Sequence, residues 1–443
     1  MTCSSIRDTR LPRRGLPELI LQLRAAANVR DSYELQQELI SHVRETEEAR
    51  NAFSKAVKQM QGGKSPQPDA PEPQSGRDPS RVETWQFERD MCERVARQFR
   101  CIGDALAWRV FGFERRNIIA LCQNTPPGVW AGNAGAAAEL DVLEQAYRQD
   151  GQFAILHDMT NCLRIGDVTI FRNDGSRETI EVKADPQRNR SPQQRRIKAA
   201  NDALNHTAPL PGTDRRARLF DLDVQFKTYL DLLALGTERA AREGIFAARV
   251  RGDRALLIAD IYGCNARGWT EAEFSAQLER KFSAARRRAG LGPRQPSDIY
   301  SSSLDSVSRD PQRVPFAAYP LHPIACARLI GDLAAFTVET SGPALAKSLN
   351  RAGFNARWVR PPGAVGDLAP GEVVMELSVI TGSQLLPSGL RAEATSTLQM
   401  RRSALDQYLI ELVDQNTWIT GLRRMITGPG LQGRPWPTYR DED

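Results

Sequence analysis

Residues 163–184 read LRIGDVTIFRNDGSRETIEVKA, and the reading of this stretch decides the fold. Apolar and polar residues alternate on either side of NDGS, whose residue types reverse a chain, so a β-hairpin is expected. Alternate side chains of a pleated ribbon point to opposite faces. Val168, Ile170, Ile180 and Val182 then share a face suited to packing against helices, while Asp167, Thr169, Thr179, Glu181 and Lys183 share the other. Two carboxylates and an ammonium gathered beside a core lose hydration, and such a group needs a counter-ion, a metal or access to solvent. Turn length decides whether they meet. A loop at 173–175 sets Asp167 opposite Glu181, and a loop at 174–176 sets it opposite Lys183. A two-residue loop at 174–175 pairs it with Val182 and splits the group.

Working outward, Ala136, Ala137, Ala138, Leu140, Leu143 and Ala146 predict a helix within 133–149. GQFAILHDM (151–159) predicts a first strand, with His157 and Asp158 as satisfied strand residues. PQRNRSPQQRRIKAANDALN (186–205) opens as loop and becomes helical after Pro192. A helix is expected over 220–235, and the strands IFAARV and ALLIADIYG, joined by RGDR, are expected to extend the hairpin's sheet. Thr270 and Glu273 form a capping box ahead of a helix ending in a basic run. Helices near 323–336 and 343–352, a strand at 372–380 and a long helix near 401–426 complete a mixed α/β C-terminal part.

Toward the N-terminus, Leu16–Met60 predicts a helical hairpin, with Asp31 and Glu34 at capping-box spacing. The Pro-, Gly- and Ser-rich residues 62–82 read as a flexible linker, and 83–132 as helices interrupted at Gly103 and Gly112. The expected organisation is therefore an N-terminal helical region (1–61), the linker (62–82), a helical segment on the core (83–132), a core (133–265) and a mixed α/β region (266–443).

Composition narrows the function. The 443 residues are 41% hydrophobic and 26% charged, with no apolar run long enough to span a bilayer, so no membrane role is expected. The basic N-terminus lacks an apolar segment behind it, which predicts a cytoplasmic protein rather than a secreted one. Seven scattered cysteines and four histidines form no zinc-ligand or redox spacing, so carboxylates must carry any metal. The net charge of +6 favours polyanionic partners.

Asp167 followed on the next strand by Glu181-Val182-Lys183 resembles the PD-(D/E)xK nuclease superfamily, although Gly166 stands where the named motif has Pro. The resemblance covers about residues 130–205. It implies a restriction-endonuclease-like α/β fold, a mixed sheet flanked by helices, with a helical N-terminal region and an α/β C-terminal extension. It further implies that Asp167 and Glu181 hold one or two Mg²⁺ ions, with Mn²⁺ as substitute, and that Lys183 positions or activates the attacking water. The helix before the first strand often adds an acid in this family. Glu139 matches that place, with Glu144 as fallback. Gln194, or else Gln193, matches a Gln that many members carry on the helix after the motif. Hard oxygen ligands suit Mg²⁺, and a fixed ammonium adds electrostatic preorganisation.

Arg188, Arg190, Arg195, Arg196 and Lys198 follow the motif, and Arg215, Arg216, Arg218 and Arg286–Arg288 come later; folded toward one groove they would neutralise phosphates. Any single run also reads as a solvated helix face. The expected activity is hydrolysis of nucleic-acid phosphodiester bonds, DNA by family weight, with defence against foreign DNA as a context by analogy of fold. The alternative is a catalytically inactive nuclease fold that binds DNA or serves as a scaffold. In either case the N-terminal helices would recruit a protein partner or a second copy.

Overall fold

The computed structural model describes residues 15–66, 71–122, 128–132, 135–182, 191–205, 226–292, 299–303, 313–359, 372–385 and 391–427. Its architecture is mixed α/β. Helices α1 (Leu16–Ala25), α2 (Val29–Gln61) and α3 (Val82–Val110) come first. The cap of α2 lies one turn earlier than the Asp31/Glu34 spacing suggests: the Asn28 side chain accepts from Asp31 N, and Asp31 Oδ2 accepts from Ala27 N at 2.9 Å. Gly112, at φ 65°, follows the end of α3 as expected. Gly103 does not interrupt the helix. A Cβ there would lie 1.9 Å from the Met159 carbonyl oxygen, so glycine serves close approach rather than a break. A short helix, α4 (Arg115–Leu121), follows.

The hairpin then takes its place in a sequence of α5 (Ala136–Arg148), β1 (Phe153–Leu156), a single 3₁₀ turn (His157–Met159), β2 (Val168–Phe171), β3 (Arg177–Ile180) and α6 (Ser191–Leu204). The three strands form one sheet in the order β1-β2-β3, antiparallel throughout. Val168 faces Ile180 and Phe171 faces Arg177, and Arg172 N donates to Ser176 O. The turn is therefore 173–175, the first of the three registers open to the sequence. His157 and Asp158 lie on the 3₁₀ turn, not on the strand, because Thr160 N bonds back to His157 O and ends the extended run.

Further strands fall into two other sheets. After α7 (Leu230–Glu243), β4 (Ile245–Val250) pairs with β5 (Arg254–Asp260), and β5 pairs with β7 (Ala334–Ser341), which pairs in turn with β6 (Ile299–Ser303). Between them lie α8 (Ile261–Ala266), α9 (Glu271–Arg288) behind the expected Thr270/Glu273 capping box, and α10 (Pro323–Ile330). After α11 (Gly342–Arg351), β8 (Asn355–Trp358), β9 (Val373–Leu385) and β10 (Arg391–Arg401) make the third sheet, and α12 (Arg402–Ile410) and α13 (Gln415–Thr427) close the described chain.

The expected mixed sheet is thus corrected: every described strand pairing is antiparallel, and β4 and β5 do not extend the hairpin's sheet. The reason lies at the sheet's margins. Gln36 of α2 donates from Nε2 to Ala154 O and accepts from Leu156 N, which occupies one acceptor and one donor on the outer edge of β1. Asn201 of α6 bonds both N and O of Thr179, and Asn205 bonds both N and O of Arg177. Amide side chains thus occupy positions where another strand would pair. We expect Asn201→Ala to lower stability by about 1–3 kcal/mol in urea unfolding, because it strands two backbone groups of Thr179.

Three smaller readings also change. The helix expected at 323–336 stops at Ile330, with Asp332 at φ 55°, and the following residues enter β7. The helix expected over 401–426 is broken at Leu412, φ 48°, where Val413 bridges to Thr228. That bridge also holds 226–229 out of the expected 220–235 helix. One continuous apolar core joins all three parts, including Leu19, Trp108, Val168, Leu256 and Tyr408. Trp85 and Trp108 are both buried, and the six described cysteines are free.

Candidate metal centre

The last ladder pair of the hairpin is Val168 and Ile180. Just beyond it Asp167 N donates to Ile180 O at 2.9 Å and Val182 N donates to Asp167 Oδ2 at 2.7 Å, which holds Asp167 at the end of the hairpin, where the charge of Glu181 reaches it. Gly166, just before it, has φ 73°, and a Cβ there would lie 2.9 Å from Ile180 O. Proline, fixed near φ −65°, could not adopt this conformation at position 166.

Behind the two acids the sheet face is sealed by a hydrogen-bonded chain. Thr169 Oγ1 lies 2.7 Å from Thr179 Oγ1 and 2.8 Å from His157 Nε2, while His157 Nδ1 lies 3.0 Å from Gly166 O. Because a carbonyl only accepts, Nδ1 carries the proton and Nε2 accepts from Thr169. Burial pushes His157 down to about 3, so the ring is neutral and structural. Its role is that of a satisfied buried histidine.

Glu139 reaches the same cluster from the first turn of α5. The carboxylate is buried, and Trp130 Nε1 donates to its Oε2 at 2.8 Å. Burial pushes Glu139 up to about 7, opposed by the indole bond and reinforced by the charges of Asp167 and Asp158. Asp167 is pushed up to about 6, again by burial, opposed by Val182 N–H and reinforced by Glu181 and Asp158. Asp158 is raised too, by burial, against the pull of Arg164 and Arg100; Arg164 Nη1 lies 3.6 Å from its carboxylate. Asp158, set aside in the sequence as a strand residue, is a further acid whose charge reaches this cluster. The only available signal was its position one strand away from Asp167, and the 3₁₀ turn that aims it has no strong local signature.

A divalent cation is tested against these residues by one orphaned atom. Glu181 Oε2 is buried and has no hydrogen-bond partner among the described residues. Together with Asp167 and Glu139, both held above the usual carboxylate range, it leaves excess negative character and oxygen-only donors, the chemistry Mg²⁺ takes. The residues fit such an ion in kind. Among the described residues, however, no group of three or more His, Cys, Asp or Glu side chains stands as a ready cage. Mg²⁺ usually retains several waters and needs only one or two carboxylates, and Asp167 and Glu181 are the two that would hold it here.

Gln194 lies on α6 and lines, with Glu181, Ile197, Lys198 and Asn201, a shallow groove of about 410 Å³ beside β3. Arg195, Arg196 and Lys198 are exposed on the same helix, Lys198 in an ion pair with Asp202 at 2.8 Å. Lys183, Arg188, Arg190, Arg215, Arg216 and Arg218 lie outside the described residues. Arg286 does not join a basic surface. It is buried and pairs with Glu339 at 3.0 Å.

Because carboxylates must be ionised to hold a cation, the apparent affinity for Mn²⁺ is expected to rise with pH through about 6 to 7, roughly tenfold per unit while one proton is displaced. Without a cation the sign reverses. The stabilising contribution of the raised pair is fully present below the ordinary carboxylate range and is lost as pH rises through those values. Calorimetric titration of the protein with Mn²⁺ across this range checks the slope, and a flat profile contradicts it.

No protein-family model, curated protein or solved structure matches the chain.

Proposed function

We propose that the chain is a metal-dependent phosphodiesterase of the PD-(D/E)xK type, with a restriction-endonuclease-like core, that hydrolyses nucleic acid, DNA in the first instance. The observation that carries this reading is Asp167 at the end of the β2/β3 hairpin, its Oδ2 held by Val182 N and within reach of the charge of Glu181, whose Oε2 is buried without a hydrogen-bond partner among the described residues. When bound, Mg²⁺ supplies neutralisation of charge on the reacting phosphate and activation of water. Asp167 and Glu181 hold it, and Glu139 supplies further negative charge. Lys183 supplies a fixed positive charge close to them in sequence, and Gln194 lines the approach. Arg195 and Arg196, exposed on α6, suit contacts to backbone phosphates beside the groove.

A second reading, an inactive nuclease fold that binds DNA or scaffolds a partner, is favoured by one observation, the lack of a ready three-ligand cage among the described residues. One experiment separates the two. Incubating the purified protein with linear, circular and single-stranded DNA and with RNA, in Mg²⁺, Mn²⁺ or chelator, is expected to give cleavage of DNA that chelator abolishes. DNA retention without cleavage in any metal favours the scaffold instead.

A further inference from the structure

The acidic cluster is tied to the N-terminal helices by a relay that the proposed chemistry does not itself require. Glu47 of α2 is 2% exposed. Its Oε2 accepts from Trp130 N at 2.8 Å and from Ala131 N at 2.7 Å, and its Oε1 pairs with Arg100 of α3. Arg100 Nε in turn donates to Asp158 O at 2.9 Å. The loop so held presents Trp130, itself 1% exposed, and its indole N–H donates to Glu139. A carboxylate bound on the neighbouring backbone amides fixes a loop as a helix cap does, by satisfying donors that have no other partner. An indole has a single donor, so its bond selects one oxygen of Glu139 and one orientation of the carboxylate.

On the reading of the acidic cluster as a metal site, we propose that Trp130 is a positioning residue that orients Glu139 toward Asp167, and that Glu47 and Arg100 make α2 and α3 part of the catalytic unit. Partners of this kind orient metal-facing groups, and their loss commonly weakens metal affinity by about 10–100-fold. The N-terminal helices are then not an appendage. They set the geometry of one acid directly, through Trp130, and of the turn carrying another, through Arg100 and Asp158.

The test is a double-mutant cycle read by Mn²⁺ binding rather than by turnover. Free Mn²⁺ is counted by electron paramagnetic resonance for native protein, Trp130→Phe, Glu139→Gln and the double variant, with circular dichroism confirming the fold of each. Phenylalanine keeps the ring and removes the donor. The expected result is that both single variants weaken Mn²⁺ binding by about 10-fold or more and that the double variant is no weaker than the worse of the two. Glu47→Gln, which keeps an acceptor for the 130–131 amides, is expected to retain more affinity than Trp130→Phe. Unchanged affinity in a folded Trp130→Phe overturns the inference alone, as does full additivity of the two losses. Failure of the native protein to bind Mn²⁺ removes the metal-site reading and this inference with it, and so differs from either of those outcomes.

Discussion

Asp167→Asn and Glu181→Gln are each expected to remove metal-dependent cleavage by about 10³-fold or more while the fold persists. A bound cation contributes several kcal/mol of charge stabilisation, and each ~1.4 kcal/mol is a factor of ten in rate. The side-chain amide that Asp167→Asn introduces keeps an oxygen for Val182 N–H, so the strand end is preserved. Chelated protein adds a sharper check. Asp167 is raised to about 6 by burial, so at neutral pH it is largely ionised at a cost to the folded state, and the Asp167→Asn variant is expected to melt at or above the native temperature in EDTA. Lys183→Ala is expected to lose cleavage as well. Cleavage retained in all three purified variants ends the nuclease assignment, and a loss accompanied by collapse of the fold points to a structural role.

The largest effect on stability is expected at Gly103. In Gly103→Val the new Cβ meets the Met159 carbonyl oxygen at 1.9 Å, a backbone atom that cannot swing aside as a side chain can. Either α3 or the 3₁₀ turn must move. The neighbouring residue, Asp104, accepts from Asn161 N at 2.6 Å and Cys162 N at 2.9 Å, so moving the helix also strands these amides. A loss of about 3 kcal/mol or more, or failure to accumulate folded protein, follows from overpacking combined with broken buried bonds. Urea unfolding of Gly103→Val and Gly103→Ala measures it. Native-like midpoints in both would show that the contact yields easily.

The parts of this structure legible in the sequence are those governed by local rules. NDGS and the alternation around it specify a hairpin because turn chemistry and pleat period act over a few residues, and the Thr270/Glu273 box is legible for the same reason. What was not legible depended on distant partners. Gln36 lies 118 residues from Ala154, and nothing in either neighbourhood indicates that one terminates the edge of the other. Arg286 sits in a run of arginines that reads as a charged face, yet its partner Glu339 comes from a strand in another part of the chain. Gly103 looked like a helix breaker because sequence alone cannot show a carbonyl pressed against the helix. Asp158 looked like a strand residue for want of any sign of the turn at Thr160.

The amides at both margins of the small sheet also limit how another molecule approaches it. Their hydrogen bonds already answer Ala154 O and Leu156 N on one flank and the N and O of Arg177 and Thr179 on the other, which opposes the pairing of a foreign peptide there. Native copies are correspondingly protected from stacking into fibrils through this hairpin. A molecule that enters the groove beside β3 meets instead the side chains of Glu181, Gln194, Ile197 and Lys198.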